Sequence, residues 1–180
     1  MTDSPLASPP PPRRNFVIYF MAIMLVMSAI TFVAFTYVAR SSKAQRREIS
    51  QKNLQEIHHA LKSFAADPQN KQQYPAEIQT LAPKHLNNPD VFSHPAWPNR
   101  AGYVYVPGVQ SSDPPETIVV YENVPAGKEK LGRLTLSLNG EVHMWDEVDF
   151  KSKIMAQEAL WKSQNRSWQP VAVEPLIQVK

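Results

Sequence analysis

Residues 16–39 read FVIYFMAIMLVMSAITFVAFTYVA and residues 40–66 continue RSSKAQRREISQKNLQEIHHALKSFAA; together they decide the fold. The first part is an unbroken uncharged run of 24 residues. At about 1.5 Å per residue, a helix of that length crosses a roughly 30 Å hydrocarbon core with room for tilt. A cleaved signal would have an apolar core of only about 7 to 15 residues, and Val38-Ala39-Arg40-Ser41 is a weak cleavage site. Arg13-Arg14 before Asn15-Phe16 has the outline of a twin-arginine signal, but the apolar core is too long for that route. The expectation is a retained, single-pass membrane helix. The second part holds no proline or glycine, and Leu54, Ile57, Leu61 and Phe64 recur at helical spacing, which predicts an amphipathic helix with one apolar stripe. Nothing between the two parts forces a break. One continuous helix is therefore expected, ending at Asp67-Pro68, because proline disfavours helical geometry in the residue before it.

Before the apolar run, five prolines fall within MTDSPLASPPPP, so residues 1–15 are expected as a disordered or polyproline-like tail. After it, enough chain remains for one modest domain rather than two. The net charge of +3 is small and mostly juxtamembrane, which argues against a nucleic-acid-binding face. With no cysteine, disulfide scaffolds, thiolate metal sites and thiol catalysis are excluded. Arg13 and Arg14 precede the span, whereas Arg40, Lys43, Arg46, Arg47 and Lys52 follow it. Counted by the positive-inside rule, these charges place the following domain in the cytoplasm; they also suit a collar for anionic lipid headgroups.

Beyond a proline-punctuated region with a short helix expected over residues 75–81, four runs have strand character: 102–106 (GYVYV), 117–121 (TIVVY), 134–138 (LTLSL) and 141–145 (EVHMW). Asn139-Gly140 joins the last two, and a type I′ hairpin turn is expected there. Alternation puts Leu134, Leu136 and Leu138 on one face with Val142 and Met144, and the stripe of the long helix is the natural cover for it. A second amphipathic helix is expected over 150–164. For the alternating tail 168–180 two readings stay open, an added edge strand or a docking segment. The predicted class is α+β: an anchor at 16–39, a helix-on-antiparallel-sheet domain at 40–149, and a helix and tail at 150–180.

The order of these elements resembles the pilin-like proteins of bacteria, in particular the pseudopilins of type II secretion and their prepilin-like relatives. The resemblance rests on 53–64 (NLQEIHHALKSF), 74–86 (YPAEIQTLAPKHL) with 88–92 (NPDVF), 103–108 (YVYVPG) and the NGEV hairpin at 139–142. It implies a pilin-like fold, lateral partners among membrane or pilin-like subunits, and a domain on the outer side of the cytoplasmic membrane, against the charge count. Two features depart from the family pattern: the processing and assembly positions, and the His, nine residues, Asp-Gly signature that ends the sheet in many relatives, where this chain has Glu129 and Asn139-Gly140. Asn15 stands where a glycine precedes the peptidase cut, and Phe20 where a glutamate pairs with a neighbouring subunit. The resemblance thus implies the fold, and a permanently anchored, non-enzymatic structural or interaction subunit, rather than a working filament protein.

Candidate sites are few. Glu56 and His59 have Glu-x-x-His spacing, half of a di-iron site, without a second such motif; a solvated helix face is the expectation. The resemblance implies calcium as a candidate cofactor, since some major pseudopilins bind it in a loop beside the sheet; Asp113, Glu116 and Glu122 are the candidate ligands, against a plain surface turn over Ser111-Ser112-Asp113-Pro114-Pro115. No Gly-x-Ser-x-Gly is present, and His85, His94 and His143 have no evident partner in sequence, so no enzyme is expected. Among the aromatics, Trp161 and Trp168 are the candidates for contact with a partner protein, as such residues carry much interface energy. A membrane-tethered ligand-binding or calcium-binding module is the alternative function.

Overall fold

The structure, a computed structural model, describes residues 13–70, 72–124 and 132–174. Most of the expected proline-rich tail, residues 1–12, lies outside these. The chain forms two compact units, Met1–Ala44 and Gln45–Lys180. Helix α1, Arg13–Ala66, is unbroken and contributes to both, and it already includes residues 13–15 of the expected tail.

In the first unit, α1 carries the one helical window among the described residues that is long and apolar enough to cross a membrane; its mean hydropathy is 2.5 and none of it is buried. Its serine and threonine hydroxyls are satisfied locally. Ser28 Oγ donates to the Leu25 carbonyl, Thr31 Oγ1 to that of Met27 and Thr36 Oγ1 to that of Val33, at 2.8–2.9 Å. Such back-bonds remove the need for water or a tertiary partner.

The second unit is built on an antiparallel sheet in the order β6-β5-β4-β3-β7. Its strands are β3 Tyr103–Tyr105, β4 Ile118–Glu122, β5 Arg133–Ser137, β6 Val142–Trp145 and β7 Val171–Val173. The last adds residues 171–173 of the tail as an edge strand, with Tyr103 opposite Val173, while residues 175–180 of that tail lie outside the described residues. In register, Tyr103 faces Glu122, Tyr105 faces Val120, and Val120 faces Leu136, so these side chains share one face. Leu54, Ile57 and Leu61 of α1 are buried together with Tyr103, Tyr105, Val120, Leu134 and Leu136 in one apolar core. Each buried aliphatic side chain contributes about 2 kcal/mol.

The sheet has a second cover. Tyr121, Thr135 and Arg133 alternate with the core positions, and Phe150 of helix α2 (Glu147–Ser163) stacks 5.0 Å from Tyr121 and 4.9 Å from the Arg133 guanidinium. The domain therefore has three layers, helix on sheet on helix. Helix α2 starts three residues before the expected position because Asp146 caps it, accepting from Val148 N and Asp149 N at 2.9 and 2.8 Å. Its Gln157 amide pairs with both the N–H and the carbonyl of Ile118, at 2.8 and 2.9 Å, standing in for a neighbouring strand.

Three local expectations are corrected. The helix expected over 75–81 is a 3-10 turn, Ile78–Leu81, since the Pro75 carbonyl is taken by the Tyr105 hydroxyl at 2.7 Å. The Asn139-Gly140 hairpin is not type I′. Only Gly140 has a positive φ, at 92°, and its N–H closes a turn onto the Ser137 carbonyl. The loop is thus a tight turn followed by a left-handed glycine. The N–H groups of Leu138 and Asn139 are bound to the carbonyls of Thr117 and Pro115, which fixes them outside the type I′ geometry. A Cβ on Gly140 would lie 2.4 Å from His58 Nε2, so the same glycine seats the hairpin on α1. Finally, Pro95 and Pro98 do not keep their region irregular: β1 Ser93–His94 pairs with β2 Trp97–Ala101 as a separate hairpin.

Candidate functional site

The most concentrated polar chemistry in the second unit is a buried network around Glu122. Strand β4 presents this carboxylate to the α1 side of the sheet. Its Oε1 accepts from Ser50 Oγ at 2.5 Å and from His94 Nε2 at 3.0 Å, and its Oε2 accepts from Leu134 N at 2.9 Å. Ser50 Oγ also lies 3.0 Å from the Tyr103 hydroxyl, which Asn53 Nδ2 reaches at 3.4 Å. His94 Nδ1 accepts the Ala96 N–H at 3.0 Å, which puts the imidazole proton on Nε2 and makes Nε2 the donor to Glu122. The ring is held between Trp97, stacked at 4.2 Å, and Tyr103. Gly102 allows this approach, because a Cβ there would meet His94 N at 2.4 Å.

Burial pushes the Glu122 carboxyl up, but the hydrogen bonds from His94, Ser50 and Leu134 N–H outweigh it and leave the carboxyl below the ordinary glutamate range. Burial pushes the Tyr103 phenol up to about 12, against the lowering hydrogen bonds of Ser50 and Asn53. The arrangement is not that of a nucleophile and base. Ser50 donates to the carboxylate rather than to the imidazole, and Ser50, His94, Tyr103 and Glu122 are all buried. What it does is tie five segments together: α1, β1, β3, β4 and β5.

A second charged latch lies beyond the start of β4. Arg166 meets both oxygens of Asp113, at 2.5 and 2.9 Å, and donates to the Gly108 carbonyl. Its guanidinium stacks 4.1 Å over the Trp161 ring. Burial raises the Asp113 carboxyl, but hydrogen bonds from Arg166 and the Gln110 N–H, with the Arg166 charge, bring it below its usual range.

The three calcium candidates are thus in different settings. Asp113 is paired with Arg166, Glu122 is inside the domain, and Glu116 is exposed. Among the described residues no three histidine, aspartate or glutamate side chains gather as a metal-binding group. The two tryptophans read as partner contacts also turn inward. Trp161 is 1 % exposed within the core, and Trp168 packs on the core, edge to face with Trp161 at 5.1 Å. The histidines without an evident partner in sequence all have one: His85 with Ser63 at 3.1 Å, His94 with Glu122, and His143 with Glu141 at 3.1 Å. Of the adjacent pair on α1, His58 is buried and His59 exposed, as their angular separation requires. No protein-family model, curated protein or solved structure matches this chain.

Proposed function

We propose that this chain is a membrane-anchored, non-enzymatic structural or interaction subunit with a pilin-like domain, working at the bacterial cytoplasmic membrane alongside other membrane or pilin-like subunits. The observation that carries this reading is the charge-free window of α1, none of which is buried and whose serine and threonine hydroxyls are satisfied within the helix. Water is a poor solvent for such a surface, and lipid is a good one. The helix-on-sheet order and the NG hairpin support the pilin-like comparison, while Asn15 and Phe20 argue for a chain that stays anchored rather than one processed into a filament. On the same comparison the domain lies on the periplasmic side, with Arg13 and Arg14 holding the short amino-terminal segment inside. The non-enzymatic reading is supported by the direction of the Ser50 hydrogen bond and by the enclosure of the Glu122 network.

The absence of native cysteine makes the test direct. Ser152→Cys places one thiol on the exposed side of α2. In intact cells a membrane-impermeant maleimide should label it, the protein should stay with the membrane through alkaline extraction, and lateral cross-linking should yield defined oligomers. Extraction into the soluble fraction overturns the anchor. Labelling only after lysis overturns the periplasmic placement. Absence of cross-linked species overturns the role as a subunit.

A further inference from the structure

Between residues 72–74 and 108–112 lies an open cleft of about 410 Å³, within the size range of small-molecule sites. Its polar side chains are Gln72, Gln73, Tyr74, Gln110, Ser111 and Ser112, with Val109 as the aliphatic part of the lining. None is charged. Among the described residues, no intramolecular hydrogen bond uses the three amides or the two serine hydroxyls. The frame behind them, by contrast, is fixed at several points. The Gly108 carbonyl is held by Arg166, Gln110 N donates to Asp113 Oδ2 at 2.9 Å, Gln73 N donates to the Asn70 carbonyl at 2.9 Å, and the Tyr105 hydroxyl pins Pro75. Gln72 itself is held at φ 61°, a left-handed conformation that glutamine rarely adopts.

The chemistry of the lining selects a ligand class. A charged ligand would lose water without meeting an opposite charge, and an apolar one would cover amides and hydroxyls without bonding them. Amides and hydroxyls donate and accept, and the half-buried Tyr74 ring adds a flat apolar surface. A molecule that is neutral, dense in hydroxyls and apolar along its C–H face matches all three features. We propose that this cleft binds a neutral saccharide. The rigid frame lowers the ordering cost of doing so. This site is independent of the membrane-anchored reading above and stands or falls separately.

The test uses the full chain in lipid nanodiscs, which avoids sugar-based detergents, with cellobiose, maltose and diacetylchitobiose as probes in saturation-transfer NMR at millimolar concentration. Transfer to at least one neutral disaccharide is expected, with none to a disaccharide bearing a uronic acid. In the Gln110→Leu/Ser112→Ala variant, loss of bonds from the cleft should weaken binding about tenfold or more. Both positions are exposed, so tryptophan-monitored melting should be unchanged, which separates loss of the site from loss of the fold. Lengthening the sugar distinguishes the source: affinity that rises with chain length points to a glycan polymer, and affinity already saturated at the disaccharide points to a free sugar. Absence of transfer to every neutral probe, or transfer that the double variant leaves intact, overturns the proposal.

Discussion

Replacing Glu122 by glutamine tests whether the buried network holds the domain together. The carboxylate accepts three hydrogen bonds, from Ser50 and His94 on one oxygen and from the Leu134 N–H on the other. An amide has one oxygen. Pointed at Ser50 and His94, it leaves its NH2 facing the Leu134 N–H, donor to donor. Flipped, its NH2 faces His94 Nε2, which can accept only if the imidazole proton moves to Nδ1, where the Ala96 N–H already points. Either orientation strands a buried donor, at about 1–3 kcal/mol, and losing the negative charge removes about 1 kcal/mol more. The expected loss is about 3 kcal/mol, or a fall in Tm of about 10 °C for a domain of this size. Indole fluorescence of the full chain in detergent is the assay. Trp97, Trp145, Trp161 and Trp168 all follow α1, so the signal reports the sheet domain and not the apolar helix. The pH dependence supplies a second reading. Glu122 has a lowered folded pKa, so its stabilisation is complete above the ordinary glutamate range and is lost as pH falls through the folded value. The Tm gap between parent and E122Q should therefore close at acid pH. Exposed Glu116→Gln serves as the control and should leave Tm unchanged. An E122Q protein melting within about 2 °C of its parent at neutral pH would refute the reasoning.

Other outcomes follow from the same packing. Leu61→Ala removes a side chain 1 % exposed between α1 and the sheet and should cost about 2–5 kcal/mol in the same melting assay; an unchanged Tm would mean that α1 does not cover the sheet. Arg166→Leu leaves the Asp113 carboxylate enclosed without its partner and should cost about 3 kcal/mol, with Asp113→Asn in the same chain recovering part of it. No recovery in the double variant would show that Arg166 acts through Trp161 and the Gly108 carbonyl rather than through Asp113. Calcium at millimolar concentration should leave Tm unchanged, because Asp113 and Glu122 already have protein partners; a rise would reverse that reading and restore the calcium-binding alternative.

Legibility in the sequence followed the range of the interaction. The stripe Leu54, Ile57, Leu61 is a local period and predicted the cover helix, and alternation located four strands of the main sheet to within a residue or two. The β1–β2 hairpin escaped because Pro95 and Pro98 are turn signals, and nothing local reveals that His94 N and Gly102 approach closely enough to exclude a Cβ. The Glu122 network was less legible still. Its members are 28 and 72 positions from Glu122, and Ser50 and Tyr103 are 53 apart, so no spacing rule links them. The sequence places Glu122 near the sheet, but whether it faces solvent or α1 depends on strand register. The burial of Trp161 is illegible for the same reason: it sits in the apolar core under Trp168 and Arg166, and Arg166 pairs with Asp113, 53 positions away.

Hydroxyl use along α1 changes where the helix meets the sheet. Ser28, Thr31, Thr36, Ser41 and Ser42 all donate to carbonyls of their own helix, three or four residues back. Ser50, by contrast, is fully buried and donates to Glu122 of β4. A hydroxyl with no tertiary partner and no water gains most by bonding its own backbone. One enclosed by folded protein gains more from a carboxylate, as charge-assisted bonds are the stronger kind. The change in bonding occurs between Ser42 and Ser50, and the boundary between the compact units falls between Ala44 and Gln45. The apolar run ends at Ala39, the unit boundary follows at Ala44–Gln45, and burial with tertiary hydroxyl bonding begins at Ser50. Ser50→Ala should consequently destabilise the sheet domain, whereas Ser42→Ala should not.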